Sequence, residues 1–184
     1  MKMQRPTRER IANPVFAGSL LALALTACTS SPLVAVPEQL RPAANESLAM
    51  IVPAKGVQIY ECRAGKNAGT GHEWAFVAPE AELFDAHGKL IGRHGAGPHW
   101  QSSDGSRIVG SLKQRADAPV AGAVPWLLLA TKSNGPEGRF SKVTSIQRVH
   151  TVGGVAPAAD CTRESAGTTA RVQYTADYYF FTDR

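Results

Sequence analysis

The sequence is short of the features that usually give a function away. It holds three cysteines, three tryptophans and three methionines in 184 residues. No G-x-S-x-G elbow, Walker loop, Rossmann glycine fingerprint or EF-hand loop occurs, and His72-Glu73 lacks the second histidine of an H-E-x-x-H site. These absences lower the case for an enzyme without removing it. No basic cluster interleaved with aromatics is present, which argues against a nucleic-acid partner. No apolar run approaches the ~20 residues that a helix needs to cross a bilayer.

The apolar stretch that does occur, Val15 to Leu25, follows the basic residues Lys2, Arg5, Arg8 and Arg10 and leads into Leu25-Thr26-Ala27-Cys28. Basic flank, short apolar core and small residues before a cysteine make the pattern of a lipoprotein signal peptide. Residues 1–27 are therefore expected to be removed, and the Cys28 thiol to carry a diacylglyceryl group. Thr29 follows the cysteine where an aspartate would retain a Gram-negative lipoprotein at the inner membrane, so the expected address is the outer membrane of the cell envelope. A Ser-, Pro- and Ala-rich segment over 28–52, spaced by Pro32, Pro37 and Pro42, reads as a tether. Residues 53–184 are left as one domain.

Lys2, Arg5, Arg8, Arg10 and Glu9 leave with the signal, so the mature chain keeps 16 of 20 Lys+Arg and 14 of 15 Asp+Glu, a net charge of +2. Once Cys28 is lipidated, Cys62 and Cys161 remain as a pair in an oxidising compartment, and a disulfide between them is expected.

After Gly56 the apolar period becomes two and stays there, the signature of an all-β domain. Val57 and Ile59 are expected on one face of a strand, with Tyr60 and Cys62 on the other. Glu73–Val77 continues the pattern until Pro79, which is expected to break the ladder. Asp85-Ala86-His87-Gly88 and Ser103-Asp104-Gly105-Ser106 are turn signals, the second expected to join antiparallel strands over 98–102 and 106–115. Val124–Thr131 reads as a strand buried on both faces, Phe140–Thr151 as a further strand, and Arg171–Thr182 as an aromatic closing strand. The spacing of turns predicts a single antiparallel β-sandwich or partly closed β-barrel of about seven to nine strands.

Chemistry concentrates in Gly92–Trp100, continuing to Asp104. Its glycines permit close approach of a ligand, His94, His99 and Arg93 offer polar contacts, and Trp100 offers a stacking surface. This patch is expected to lie on a loop. A metal held by His94 and His99 with His72 or His87 is disfavoured, because a four-residue gap in a flexible loop fixes no common face and no further ligand can be named. A second patch centres on Arg148, which shares one face of an extended strand with His150 and is suited to an anionic ligand or to pairing with Asp104 or Asp177. Trp100, Trp126, Tyr174, Tyr178 and Tyr179 are either core or the wall of a stacking cleft.

Seven short segments, taken together, resemble a known family. They are Gly56–Cys62, Phe76–Ala81, His94 with Gly97-Pro98-His99-Trp100, Asp104-Gly105-Ser106, Pro125–Leu128, Ile146–Val149 with Thr151–Pro157, and Tyr174–Phe180. The family consists of exported bacterial and fungal domains of unknown function, and the likeness runs over about residues 50–182. The resemblance implies an extracytoplasmic domain with a cysteine pair. It supplies no activity, cofactor or catalytic residue, and the dehydrogenase label of some fungal members finds no nucleotide-binding loop here.

The reading that follows is a lipid-anchored envelope domain, non-catalytic and without a cofactor, that binds a small ligand, glycan or protein partner through His94, His99, Trp100, Asp104 and Arg148. The alternative is an envelope hydrolase with His94 or His99 as general base and Asp104 as its orienting partner. Convergence of His94, Asp104 and Arg148 at the bottom of a pocket favours the enzyme.

Overall fold

The computed structural model describes residues 1, 3, 34–65 and 71–184. The expected signal peptide apart from Met1 and Met3, Cys28 and the first part of the expected tether lie outside the described residues. Ala35–Arg184 form one compact unit.

Eight antiparallel strands follow one another around a closed barrel: β1 (Glu46–Ala64), β2 (His72–Phe84), β3 (Leu90–Gly95), β4 (His99–Ser102), β5 (Arg107–Ala116), β6 (Trp126–Ser133), β7 (Ser145–Gly153) and β8 (Thr169–Asp183). Every strand pairs with its neighbours in sequence, and β1 closes the cylinder on β8 from Glu46↔Asp183 to Glu61↔Thr169. The prediction of a sandwich or partly closed barrel thus resolves to a closed barrel, although β2 meets β3 only from Ala81 onward.

Both hairpin signals act as read. Gly88 and Gly105 take φ of 77° and 91°, conformations open to glycine at little cost. Asp85 Oδ1 accepts the His87 and Lys89 backbone N–H groups. Strands β4 and β5 pair antiparallel about the second turn, with Trp100 opposite Ile108.

Pro79 does not break the ladder. Strand β2 runs through it, opposite Gln58, in a stretch that has no partner on its other side because pairing with β3 starts at Ala81. On β1 the expected alternation holds: Gln58, Tyr60 and Cys62 are buried on one face, and Val57, on the other face with Ile59, is buried as well. Of the expected strand over 140–151, Ser145–Gly153 forms β7, whereas Phe140 and Val143 belong to the connection before it and close one end of the barrel. Phe140 packs edge-on to Phe180 at 5.0 Å between ring centroids.

The expected tether boundary at residue 52 falls inside β1. Glu46–Val52 already pair with β8, and Val52 is part of the barrel core. A short 3₁₀ turn, Glu38–Leu40, precedes the strand and packs on β5 and β6. There Leu40 is fully buried, and its carbonyl accepts the Gln147 side-chain amide at 2.6 Å. This turn covers one outer side of the barrel, which explains why Leu128 and Leu129 on β6 are both buried although they point to opposite faces.

The cysteine pair forms as predicted. Cys62 on β1 is bonded to Cys161 in the β7–β8 connection, Cα–Cα 5.4 Å. Hydrogen bonds from Cys62 N–H to Thr168 O (2.9 Å) and from Gly167 N–H to Cys62 O (2.8 Å) fasten the same connection to β1.

Candidate functional site

The inner face of an eight-stranded barrel is either filled by side chains or roomy enough for one small ligand. Here the two halves differ. The end that receives Phe140 is packed by Val52, Leu83, Ile108, Val143, Ile146 and Phe180. Toward the β3–β4 turn the interior opens into a cavity of about 300 Å³. Arg148, His94, Trp100, Gln58 and Tyr178 contribute its polar groups, and Phe76, Val77, Pro79, Pro98, Leu127 and Leu129 supply apolar surface. Phe76 and Val77 are each half exposed, forming an apolar lip.

Three of the five predicted site residues meet in this cavity. His94 and Trp100, however, lie on strands rather than on a loop, paired across β3 and β4. Only Ala96-Gly97-Pro98 turn between them. Both side chains point inward, 4% and 1% exposed, and their rings stack with centroids 4.5 Å apart and planes 12° apart. His94 Nδ1 lies 2.8 Å from the His99 carbonyl oxygen. A carbonyl only accepts, so Nδ1 carries the hydrogen and Nε2 keeps its lone pair. Burial lowers the His94 pKa to about 3; the bond to the His99 carbonyl opposes the shift, and the Arg148 charge adds to it. The imidazole is therefore neutral at physiological pH.

Arg148 enters from β7, opposite Leu127 on one side and Tyr178 on the other. Its Nε and Nη2 both donate to the Pro125 carbonyl, at 3.1 and 2.8 Å. Among the described residues no carboxylate forms an ion pair with it. The expected pairing with Asp104 or Asp177 is not made. Nor does Arg148 share a face with His150: a bulge between Val149 and Val152, with His150 in the left-handed region at φ 50°, turns the imidazole outward. There His150 Nδ1 meets Asp177 Oδ2 at 2.8 Å, beside Trp126 and Tyr179. The five aromatics first read together are thereby divided, with Trp100, Tyr174 and Tyr178 inside and Trp126 and Tyr179 on the outer side.

Asp104 is elsewhere. The β3–β4 and β4–β5 turns lie at opposite ends of β4, and Asp104 sits on the latter. Its Oδ1 accepts the Ser106 hydroxyl (2.6 Å) and N–H (2.9 Å), and its Oδ2 accepts the Arg139 N–H (2.8 Å). The carboxylate pins the β4–β5 turn to the β6–β7 connection, and those bonds, the Ser106 hydroxyl foremost, hold its pKa well below the usual carboxylate range. It cannot orient either histidine, so the His–Asp arrangement required by the hydrolase alternative is not formed. His99 turns away from the cavity, with Nδ1 2.6 Å from the Ala96 carbonyl, and lines a shallower outer groove with Lys55, Arg93 and Arg171.

Gln58 and Tyr178 were not foreseen as site residues. Gln58 sits two residues beyond Gly56 on the inward side of β1 that holds Val52 and Ala54, so that register, once known, would have singled it out. Two buried donors in the cavity wall, Gln58 Nε2 and Trp100 Nε1, have no hydrogen-bond partner. Buried polar groups are paired in the great majority of cases, so two orphans in one wall are notable.

A family model described as "Protein of unknown function (DUF3455)" matches residues 42–182. The chain belongs to this family. No curated protein matches it. The match begins in the segment just before β1 and ends within β8, so it spans the whole barrel.

Proposed function

We propose that this member of the family is an exported, lipid-anchored envelope domain whose barrel binds a small ligand in its open end. The observation that carries the binding reading is that His94, Trp100 and Arg148, on three different strands, line one cavity whose walls are otherwise mostly apolar. Few convergent polar groups in an apolar, preformed concavity are the usual composition of a small-molecule site. An interior site of this size favours a small molecule over a glycan chain or a protein surface. With Asp104 committed at the far end of β4, His94 is oriented only by the His99 carbonyl, and its pKa of about 3 makes it a weak base, so the reading stays non-catalytic.

Export and anchoring rest on the Leu25–Cys28 motif with its basic flank, and the Cys62–Cys161 disulfide supports an oxidising compartment. Thr29 supports the outer membrane.

The test is a thermal-shift screen of the full chain against sugars, organic acids, amines and metal ions, since a ligand that prefers the native state raises its midpoint. A genuine hit is expected to be lost in His94→Trp, which fills the cavity. A hit that survives this substitution overturns the placement of the site. Mass spectrometry of the membrane fraction is expected to find Cys28 as the modified N-terminal residue; an unprocessed Met1 overturns the anchoring.

A further inference from the structure

The donor and acceptor balance of the cavity restricts its ligand more than its shape does. Arg148 carries the one charge among its lining residues, and no carboxylate lines it. A guanidinium beside a mostly apolar wall, without an anionic partner, is costly to maintain. Around it are Tyr60, Tyr174, Tyr178 and the neutral His94, each within reach of its charge. None of these is an anion at neutral pH, and burial pushes all three phenols further from ionising. Tyr60 spends its hydroxyl on the Gly154 carbonyl at 2.7 Å, and Tyr174 and Tyr178 face each other at 3.3 Å. The unpartnered groups, Gln58 Nε2 and Trp100 Nε1, are both donors. Against the Arg148 cation and these two donors stands the lone pair on His94 Nε2, so the cavity has an excess of positive charge and N–H groups.

On the reading that this cavity is a ligand site, we propose that it binds small monocarboxylic acids with an apolar body, the carboxylate set against Arg148 and the body against Pro79, Leu127 and Leu129. One guanidinium matches one negative charge, and its planar fork suits a carboxylate. A phosphate dianion would leave a charge uncompensated in the same apolar surroundings. The volume equals that of about ten water molecules, which limits the ligand to a short or single-ring acid.

The probes are hexanoate and phenylacetate, their neutral counterparts hexanamide and phenylacetamide, and inorganic phosphate, titrated against the full chain by calorimetry. Each acid is expected to bind at least tenfold more tightly than its amide, phosphate is expected not to bind, and Arg148→Met is expected to abolish the preference. Trp100→Phe and Gln58→Leu, which keep the cation, are expected to weaken the acids severalfold. They also serve if Arg148→Met does not fold. Amides that bind as well as acids, or a preference for phosphate, overturn the carboxylate assignment while leaving the ligand site standing. Unchanged acid binding in Arg148→Met, or in both other variants, overturns it too. Should none of the probes bind at millimolar concentration, the assignment also falls, whereas the ligand-site reading then stands or falls on the broader screen.

Discussion

His94 and Trp100 lie face to face across the β3–β4 ladder, ring centroids 4.5 Å apart, with the histidine's Nδ1–H given to the His99 carbonyl. The pair closes one wall of the cavity, and its rigidity depends on the imidazole being neutral. A second hydrogen on Nε2 would place a cation in a buried site close to the Arg148 guanidinium.

Acid should therefore weaken the fold through His94. The unfolded chain takes up this proton below about pH 6.5, and the folded one only near 3. Its contribution is fully present above pH 6.5 and is lost as pH falls from there toward the folded value, at up to about 1.4 kcal/mol per pH unit for one such site. Urea unfolding between pH 7 and 4 is expected to show that slope, and His94→Phe to flatten it. A histidine ring signal from this residue titrating near pH 6.5 would contradict the assignment.

Asp104 gives a second test on the acid side. Its carboxylate is exposed, yet it ties two connections together through Ser106 and Arg139. Because its folded pKa lies below the usual range, the stabilisation is present above pH ~4 and is lost as pH drops through the lower folded value. Asp104→Ala is expected to lower the thermal midpoint while leaving ligand affinity in the cavity unchanged. Loss of binding without loss of stability would return Asp104 to the functional site.

What could be read from the chain without coordinates follows a physical division. Turns are local, so Asp85–Gly88 and Ser103–Ser106 announce themselves through glycine at a positive φ and an aspartate that accepts nearby N–H groups. The cysteine pair follows from counting. Register is not local. A single bulge after Val149 turned His150 outward while Arg148 stayed inward, although strict alternation had placed them together. Of the candidate residues, His94, Trp100 and Arg148 line one cavity, the first two through a cross-strand pair that the surrounding glycines made look like a loop. His99 and Asp104 lie away from that cavity, and the Asp104 partner Arg139 is 35 residues distant with no sequence signal.

The Cys62–Cys161 bond closes a loop of 99 residues, for which chain entropy alone gives at most about 4 to 5 kcal/mol. It also holds the long β7–β8 connection on β1, next to the Trp74 indole, whose N–H is given to Ala159 O at 2.9 Å. Cys62→Ala/Cys161→Ala is expected to lower the urea midpoint and to increase proteolysis first between Val155 and Thr168. Thiol counting on the unfolded, unreduced protein should find neither cysteine free.

The start of the folded unit provides the last prediction. A chain begun at Pro53, the expected domain boundary, loses Glu46–Val52 and with them the half of β1 that pairs with Tyr178–Asp183. The loss exposes one edge of β8, removes Val52 from the core and deletes Glu46, which accepts the Thr144 hydroxyl at 2.6 Å and the Ala43 N–H at 2.8 Å. It also removes Leu40, the cap over β5 and β6 and the acceptor for Gln147. The β1–β8 seam is then open over half its length, leaving an aromatic-rich edge of β8 unpaired, which is a template for aggregation. A fragment from Ala35 is accordingly expected to fold cooperatively, whereas one from Pro53 is expected to aggregate or to lack near-ultraviolet circular dichroism. If the shorter fragment showed the same thermal midpoint as the longer, β1 would have to begin after Val52 and closure against β8 would be incidental to stability.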